Sequence, residues 1–246
     1  MRFAHGDRSV YAGAMTTTSS IELREFVAAD NGSPPSISII VLHGLGADGS
    51  DFVPIAQELD LRALGPVRFV FPSAPVRPVT INGGYEMRAW YDIFPPSADP
   101  AMARREDEDG LRESQAIVQQ LIEREVERGV APGRIVLMGF SQGCAMTLLA
   151  GLCAPQRLAG LVALSGYLPL APLVATERSA ANRALPIFMA HGAHDSVVAL
   201  ERGEAARDVL TALGDTVQWR LYAMGHEVCM DEIRDLNAWL LQTLKA

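Results

Sequence analysis

The sequence predicts an α/β fold built on a mostly parallel central sheet with helices on both faces. Three observations carry this prediction. Apolar runs alternate with helix-like stretches along the whole chain, the pattern of a parallel sheet joined by crossover helices. The apolar runs are continuous rather than alternating, as expected of strands covered on both faces. At 246 residues and 49% hydrophobic, the chain can bury a full core in one domain, read here as residues 21–246.

The elements follow in order. Ser36 to Leu42 is β-branched and reads as a strand over 37–42. His43-Gly44-Leu45-Gly46 then turns sharply, and its small residues let backbone N–H groups approach a ligand; a plain strand-helix turn is the alternative. Asp48, Ser50 and Asp51 are expected caps for a helix over 51–59. A strand over 67–71 precedes a stretch, 76–103, with turn signals at Arg77-Pro78, Asn82-Gly83-Gly84 and Pro95-Pro96. Leu111, Val118, Leu121 and Ile122 share one face of an amphipathic helix over 108–128. Strands over 134–139, 159–164, 186–190 and 217–222 then alternate with helices over 142–153, 200–213 and 228–244. No internal repeat is present.

The most informative segment joins the strand over 134–139 to the helix over 142–153. It reads Gly139-Phe140-Ser141-Gln142-Gly143, a Gly-x-Ser-x-Gly turn. Such a turn lifts the serine hydroxyl out of the sheet, with the positive N-terminus of the following helix behind it. A serine nucleophile needs a base. In hydrolases with this elbow the order is Ser, then acid, then His. Asp195 is the first acid beyond the strand over 186–190, and His226 lies in the loop after the strand over 217–222. In an open parallel sheet these strand ends share one edge, so Ser141, Asp195 and His226 can converge. Asp208 and Asp215 are rival acids, but one falls within a helix and the other precedes a strand, at the wrong end of the sheet. His191-x-x-His194-Asp195 also permits a metal reading. The two histidines lack a shared helical face and no third ligand group stands out, so no metal is assigned.

With these residues in place the chain resembles the small carboxylesterases of the phospholipase/carboxylesterase family, which includes the acyl-protein thioesterases. The resemblance runs from about Ile39 to Leu244. It rests on Leu42-His43-Gly44-Leu45-Gly46, Phe71-Pro72-Ser73-Ala74-Pro75, Trp90-Tyr91-Asp92, the Ser141 elbow, Leu164-Ser165-Gly166-Tyr167-Leu168-Pro169, His191-Gly192-x-x-Asp195 and Gly225-His226-Glu227. The resemblance implies an α/β-hydrolase fold without a large cap domain. It also implies a triad of Ser141, Asp195 and His226, and an oxyanion hole made by the backbone N–H groups of Leu45 and Gln142. Cys144 stands where many members have glycine, and Ser196 and Ala199 replace prolines common in the aspartate loop. Trp90 and Tyr91 are candidate walls of an acyl site, with a small satellite core as the alternative role. The stretch from Tyr167 to Leu185 is a second candidate pocket wall.

The expected activity is a serine carboxylesterase acting on short to medium acyl esters. An acyl-protein thioesterase or lysophospholipase with the same triad is the alternative, and a noncatalytic binding protein of this fold is the remote one. No cofactor is required. A net charge of −8 argues against nucleic acid and against electrostatic adhesion to anionic membranes. Three cysteines without metal-ligand spacing suit free thiols in a cytoplasmic setting. No run is long enough to span a membrane, no stable membrane association is expected, and a homodimer is left open. Residues 1–20 lack an apolar signal core and read as a disordered extension or a misassigned start ahead of Met15, with a family-specific arm as the alternative.

Overall fold

The computed structural model describes residues 21–96 and 105–245; the readings made for residues 1–20 and for the end of the 76–103 stretch lie outside them. The elements run β1 (Leu23–Ala28), β2 (Ile37–Leu42), α1 (Val53–Glu58), β3 (Val67–Pro72), β4 (Val76–Val79), β5 (Tyr85–Arg88), α2 (Glu108–Glu127), β6 (Ile135–Phe140), α3 (Gln142–Cys153), β7 (Gly160–Leu164), α4 (Ala171–Glu177), β8 (Pro186–Gly192), α5 (Leu200–Ala212), β9 (Thr216–Tyr222) and α6 (Met230–Lys245).

Seven strands form one sheet in the order β1-β3-β2-β6-β7-β8-β9. β1 pairs antiparallel with β3, and every other pairing in this sheet is parallel. The central strands are buried along their whole length, which explains sequences that are apolar but for Ser38 on β2 and Arg68 on β3. Alternate residues feed opposite cores, because successive strand side chains point to opposite faces. Ile40 and Leu42 join Leu111, Val118, Ile122 and Leu148 on the side of α2 and α3. Ile39 and Val41 join Phe52, Ala56, Leu236, Trp239 and Leu240 on the side of α1 and α6. Helices thus cover both faces, as expected for an α/β hydrolase. No helix among the described residues is long and apolar enough to cross a membrane.

The six expected strands and five expected helices all form, with ends shifted by a few residues. Four elements were not anticipated: β1, the β4–β5 hairpin and α4. The expected helix caps are corrected. α1 begins only at Val53 and has no side-chain cap. The Asp48 carboxylate instead accepts from the backbone N–H of Ser50, 2.6 Å away, closing a local turn before the helix starts.

A charge cluster pins the sheet edge opposite the strand ends that carry the Ser141 elbow. The Glu125 carboxylate, fully buried at the end of α2, accepts from Ser38 Oγ on β2 (2.5 Å), Arg68 on β3 (2.9 Å) and Arg128 (3.1 Å). Glu25 on β1 takes Arg124 at 2.6 Å and Arg128 at 2.8 Å. Every oxygen of the buried carboxylate is therefore partnered, the condition for tolerating a charge out of water.

Candidate active site

Three strand ends bring the predicted residues together. β6 delivers Ser141, the loop after β8 delivers Asp195, and the loop after β9 delivers His226. Ser141 has φ 56° and ψ −117°, a backbone state that a non-glycine residue adopts only under constraint. The constraint comes from close packing on both sides. A Cβ at Gly139 would strike the Gly143 carbonyl, and a Cβ at Gly143 would strike the Leu42 carbonyl of β2. Only glycine fits either position, so the two glycines let α3 start against the sheet with Ser141 at its N-terminus.

The Ser141 hydroxyl lies 2.9 Å from His226 Nε2, and His226 Nδ1 lies 2.7 Å from Asp195 Oδ2. A carboxylate can only accept, so Nδ1 carries the proton and Nε2 is left to accept from the serine. The second Asp195 oxygen accepts from the backbone N–H groups of Val197 (2.9 Å) and Val198 (2.8 Å). Burial works to raise the pKa of this carboxyl, but the bonds from His226, Val198 and Val197 outweigh it and hold the group below the usual range. The ring of Phe140 packs 4.7 Å from the His226 ring, fixing its plane from the elbow side.

The turn after β2 stands beside the serine: a Cβ at Gly44 would lie 3.4 Å from Ser141 Cβ. The backbone N–H groups of Leu45 and Gln142 donate to no acceptor among the described residues, while their neighbours are tied down. The Gly46 N–H donates to the Arg88 carbonyl at 2.9 Å. His43 Nδ1 donates to the Gly44 carbonyl at 2.7 Å, and its Nε2 accepts from the Ala74 N–H at 2.9 Å. Burial lowers the His43 pKa, which keeps the ring in this one neutral form. The Gln142 side chain accepts from the Trp90 N–H at 2.8 Å and donates to the Tyr91 carbonyl at 2.7 Å.

Trp90 and Tyr91 are corrected by this arrangement. Both are buried in the main core and form no exposed wall. The Trp90 indole N–H donates to the His43 carbonyl at 2.9 Å, and the Tyr91 hydroxyl meets that of Tyr167 at 2.8 Å. They brace the two turns from behind. Asp208 lies within α5 and Asp215 just ahead of β9, where Asp215 is held by Arg178 at 2.7 Å. Neither joins the site. His191 is buried, with Nε2 2.9 Å from the Val198 carbonyl, whereas the neighbouring His194 is exposed. Cys144 is buried, and burial pushes its thiol well up, which denies it the thiolate a rival nucleophile needs. The supporting parts played by His43 and the Gln142 side chain escaped sequence reasoning. The His43-Gly44 dipeptide was visible, but nothing in it showed which nitrogen would face Ala74.

Comparison with known proteins identifies the family of the chain. The model of the Phospholipase/Carboxylesterase family matches residues 24–244. The chain is 40% identical over 212 residues to acyl-protein thioesterase 1 of Neurospora crassa, covering 84% of this chain and 86% of that protein. It is 40% identical over 230 residues to acyl-protein thioesterase 1 of Mycosarcoma maydis, covering 88% and 95%. Among solved structures, Arabidopsis thaliana SOBER1 superposes with a TM-score of 0.78 at 31% identity, covering 85% of this chain and 99% of that one. Acyl-protein thioesterase 2 of Zea mays gives 0.77 at 28%, covering 90% and 99%. Fold, elbow and relatives lead to one statement: the chain belongs to the phospholipase/carboxylesterase family of α/β hydrolases, and is an enzyme of the serine-hydrolase type.

Proposed function

We propose that this protein hydrolyses acyl thioesters, with acylated proteins as the substrate class, and hydrolyses the matching oxyesters as a second activity. The observation that carries the chemistry is the line Ser141 Oγ, His226 Nε2, His226 Nδ1, Asp195 Oδ2, with spacings of 2.9 and 2.7 Å. The preference for thioesters over a general carboxylesterase role rests on the relatives, whose names are those of acyl-protein thioesterases.

The steps follow from the geometry. His226 takes the Ser141 proton as the oxygen attacks the acyl carbonyl. Asp195 holds the imidazole in the tautomer that leaves Nε2 free and stabilises the imidazolium that forms. The N–H groups of Leu45 and Gln142 receive the negative charge that develops on the carbonyl oxygen. The thiol leaves with the proton from His226. Water then enters, gives its proton to His226, and releases the acid and the free serine. No cofactor takes part. The reading includes a cytoplasmic setting, supported by three unpaired thiols at Cys144, Cys153 and Cys229.

The test is a matched panel of acyl thioesters and oxyesters of increasing chain length, run on the wild type and on Ser141→Ala. The thioester of each pair should be turned over faster, and Ser141→Ala should lose all turnover of both while staying folded. Oxyester turnover without thioester turnover would restore the carboxylesterase reading. A wild type that ignores a fluorophosphonate label and all substrates would be a binding protein.

A further inference from the structure

We propose that His191 is a positioning residue for the reaction, holding Asp195 and through it His226; this rests on the triad reading above. Three independent features converge on its ring. The first is a clamp. His191 Nε2 sits 2.9 Å from the Val198 carbonyl, and since a carbonyl only accepts, Nε2 carries the proton. The Val198 N–H in turn donates to Asp195 Oδ1 at 2.8 Å. One peptide unit's residue is thus gripped on both sides, by the histidine and by the aspartate.

The second feature is the alignment of the same atom with the triad. His191 Nε2 lies 3.4 Å from Asp195 Oδ2, the oxygen that accepts from His226. That oxygen is flanked by two imidazoles, one facing Ser141 and one facing the core. The inner N–H dipole bears on the carboxylate, so it tempers the negative potential that Asp195 presents to His226. The third feature is the seat. The His191 ring is buried and stacks on Trp219, 6.3 Å between centroids. A Cβ at Gly203 of α5 would come within 2.6 Å of Nδ1, so that helix can close on the ring only with glycine there. β8, β9 and α5 therefore fix the ring, and the ring fixes the loop.

A side chain that only filled space would be replaced by one of similar shape without kinetic effect. His191→Phe keeps a planar ring and removes the N–H; His191→Gln keeps a donor that can reach Val198. The readouts are kcat and KM against pH for one ester, and unfolding temperature. For His191→Phe we expect kcat to fall roughly 3–10-fold, the worth of one neutral hydrogen bond, with KM changed less than about twofold. The acidic limb of kcat/KM should move to higher pH, because the Asp195 carboxylate then loses the opposing N–H dipole. His191→Gln should restore most of kcat and the position of the limb. Phe at full kcat with an unmoved limb would overturn the proposal, as would Gln behaving like a Phe variant that had lost activity.

If the Phe variant does not fold, the wild type decides by nitrogen-15 histidine NMR. His191 should show the Nε2–H tautomer, with a shift that follows the titration of His226; the Nδ1–H tautomer, or a shift indifferent to that titration, would overturn the inference. A wild type that neither hydrolyses esters nor reacts with fluorophosphonate would instead remove the triad reading.

Discussion

Glu232 should make this protein lose stability as the pH rises from 4.5 toward 8, and Glu232→Gln should abolish that loss. The residue sits in the first turn of α6, fully buried, and neither carboxylate oxygen has a hydrogen-bond partner among the described residues. Burial pushes its pKa from 4.5 up to about 8; the Cys229 backbone N–H works against the shift but falls short of a hydrogen bond. The folded chain therefore keeps a proton that the unfolded chain has already lost. A raised pKa gives stability that is fully present below 4.5 and drains away as pH climbs through the folded value. Each pH unit in that window is worth 1.36 kcal/mol, so the loss is about 3 kcal/mol at pH 7 and on the order of 5 kcal/mol beyond pH 8. The amide of Glu232→Gln does not titrate. The variant should match wild type near pH 4.5 and exceed it by about 3 kcal/mol at pH 7, or roughly 6–12 °C in Tm for a chain of this size. Urea unfolding followed by tryptophan fluorescence at pH 5, 7 and 8.5 measures the difference. Parallel stability curves for the two proteins across that range would show that Glu232 is ionised, and partnered, in the folded state.

Four further variants probe the site and its supports. Asp195→Asn should lower kcat by about 10⁴, because the amide favours the wrong imidazole tautomer. Asp208→Asn should leave the rate unchanged. Asp215→Asn should also leave the rate of folded enzyme unchanged, but it strips the buried Arg178 of its partner and should cost about 3–5 kcal/mol in urea unfolding. A large rate loss from Asp208→Asn or Asp215→Asn, with Asp195→Asn active, would refute the placement of the acid. Trp90→Phe removes the indole N–H that holds the His43 carbonyl, and should lower kcat for acetyl and longer acyl esters alike. A loss confined to the longer esters would return Trp90 to the acyl site.

The parts legible in the sequence share a physical cause. β2, β3, β6, β7 and β8 are covered on both faces, so their burial is written as near-continuous apolar runs, broken at Ser38 and Arg68, which pair with Glu125. Ser141 and Asp195 were legible because each follows such a strand, whereas His226 follows β9, a half-exposed edge strand, and was found by its order after the serine and the acid. The parts that escaped are those whose pattern is mixed or set by distant contacts. β1 carries Arg24 and Glu25 at an edge where one flank meets solvent, which hides a strand behind charge. β4 and β5 are four residues each, interrupted by Pro78 and joined through Asn82-Gly83-Gly84, so turn signals masked the hairpin. α4 is seven residues long with Pro172 in its first turn, inside a proline-bearing stretch that reads as a pocket wall. Trp90 was named, but its depth depends on His43 and Gln142, about 50 residues away on either side. No local pattern encodes that.

The Glu125 cluster governs how the chain can be shortened or rewired. β1 resembles a disposable edge strand, added antiparallel to a parallel sheet. Yet its Glu25 neutralises Arg124 and Arg128, and Arg128 also serves the buried Glu125 carboxylate. Cutting the chain after Ala28 would bare the edge of β3 and leave two arginines at the end of α2 competing for one buried acid. A circular permutant or fusion that opens the chain between β1 and β2 therefore keeps its charge balance only if β1 is carried along, returning to β3 from another point in the sequence.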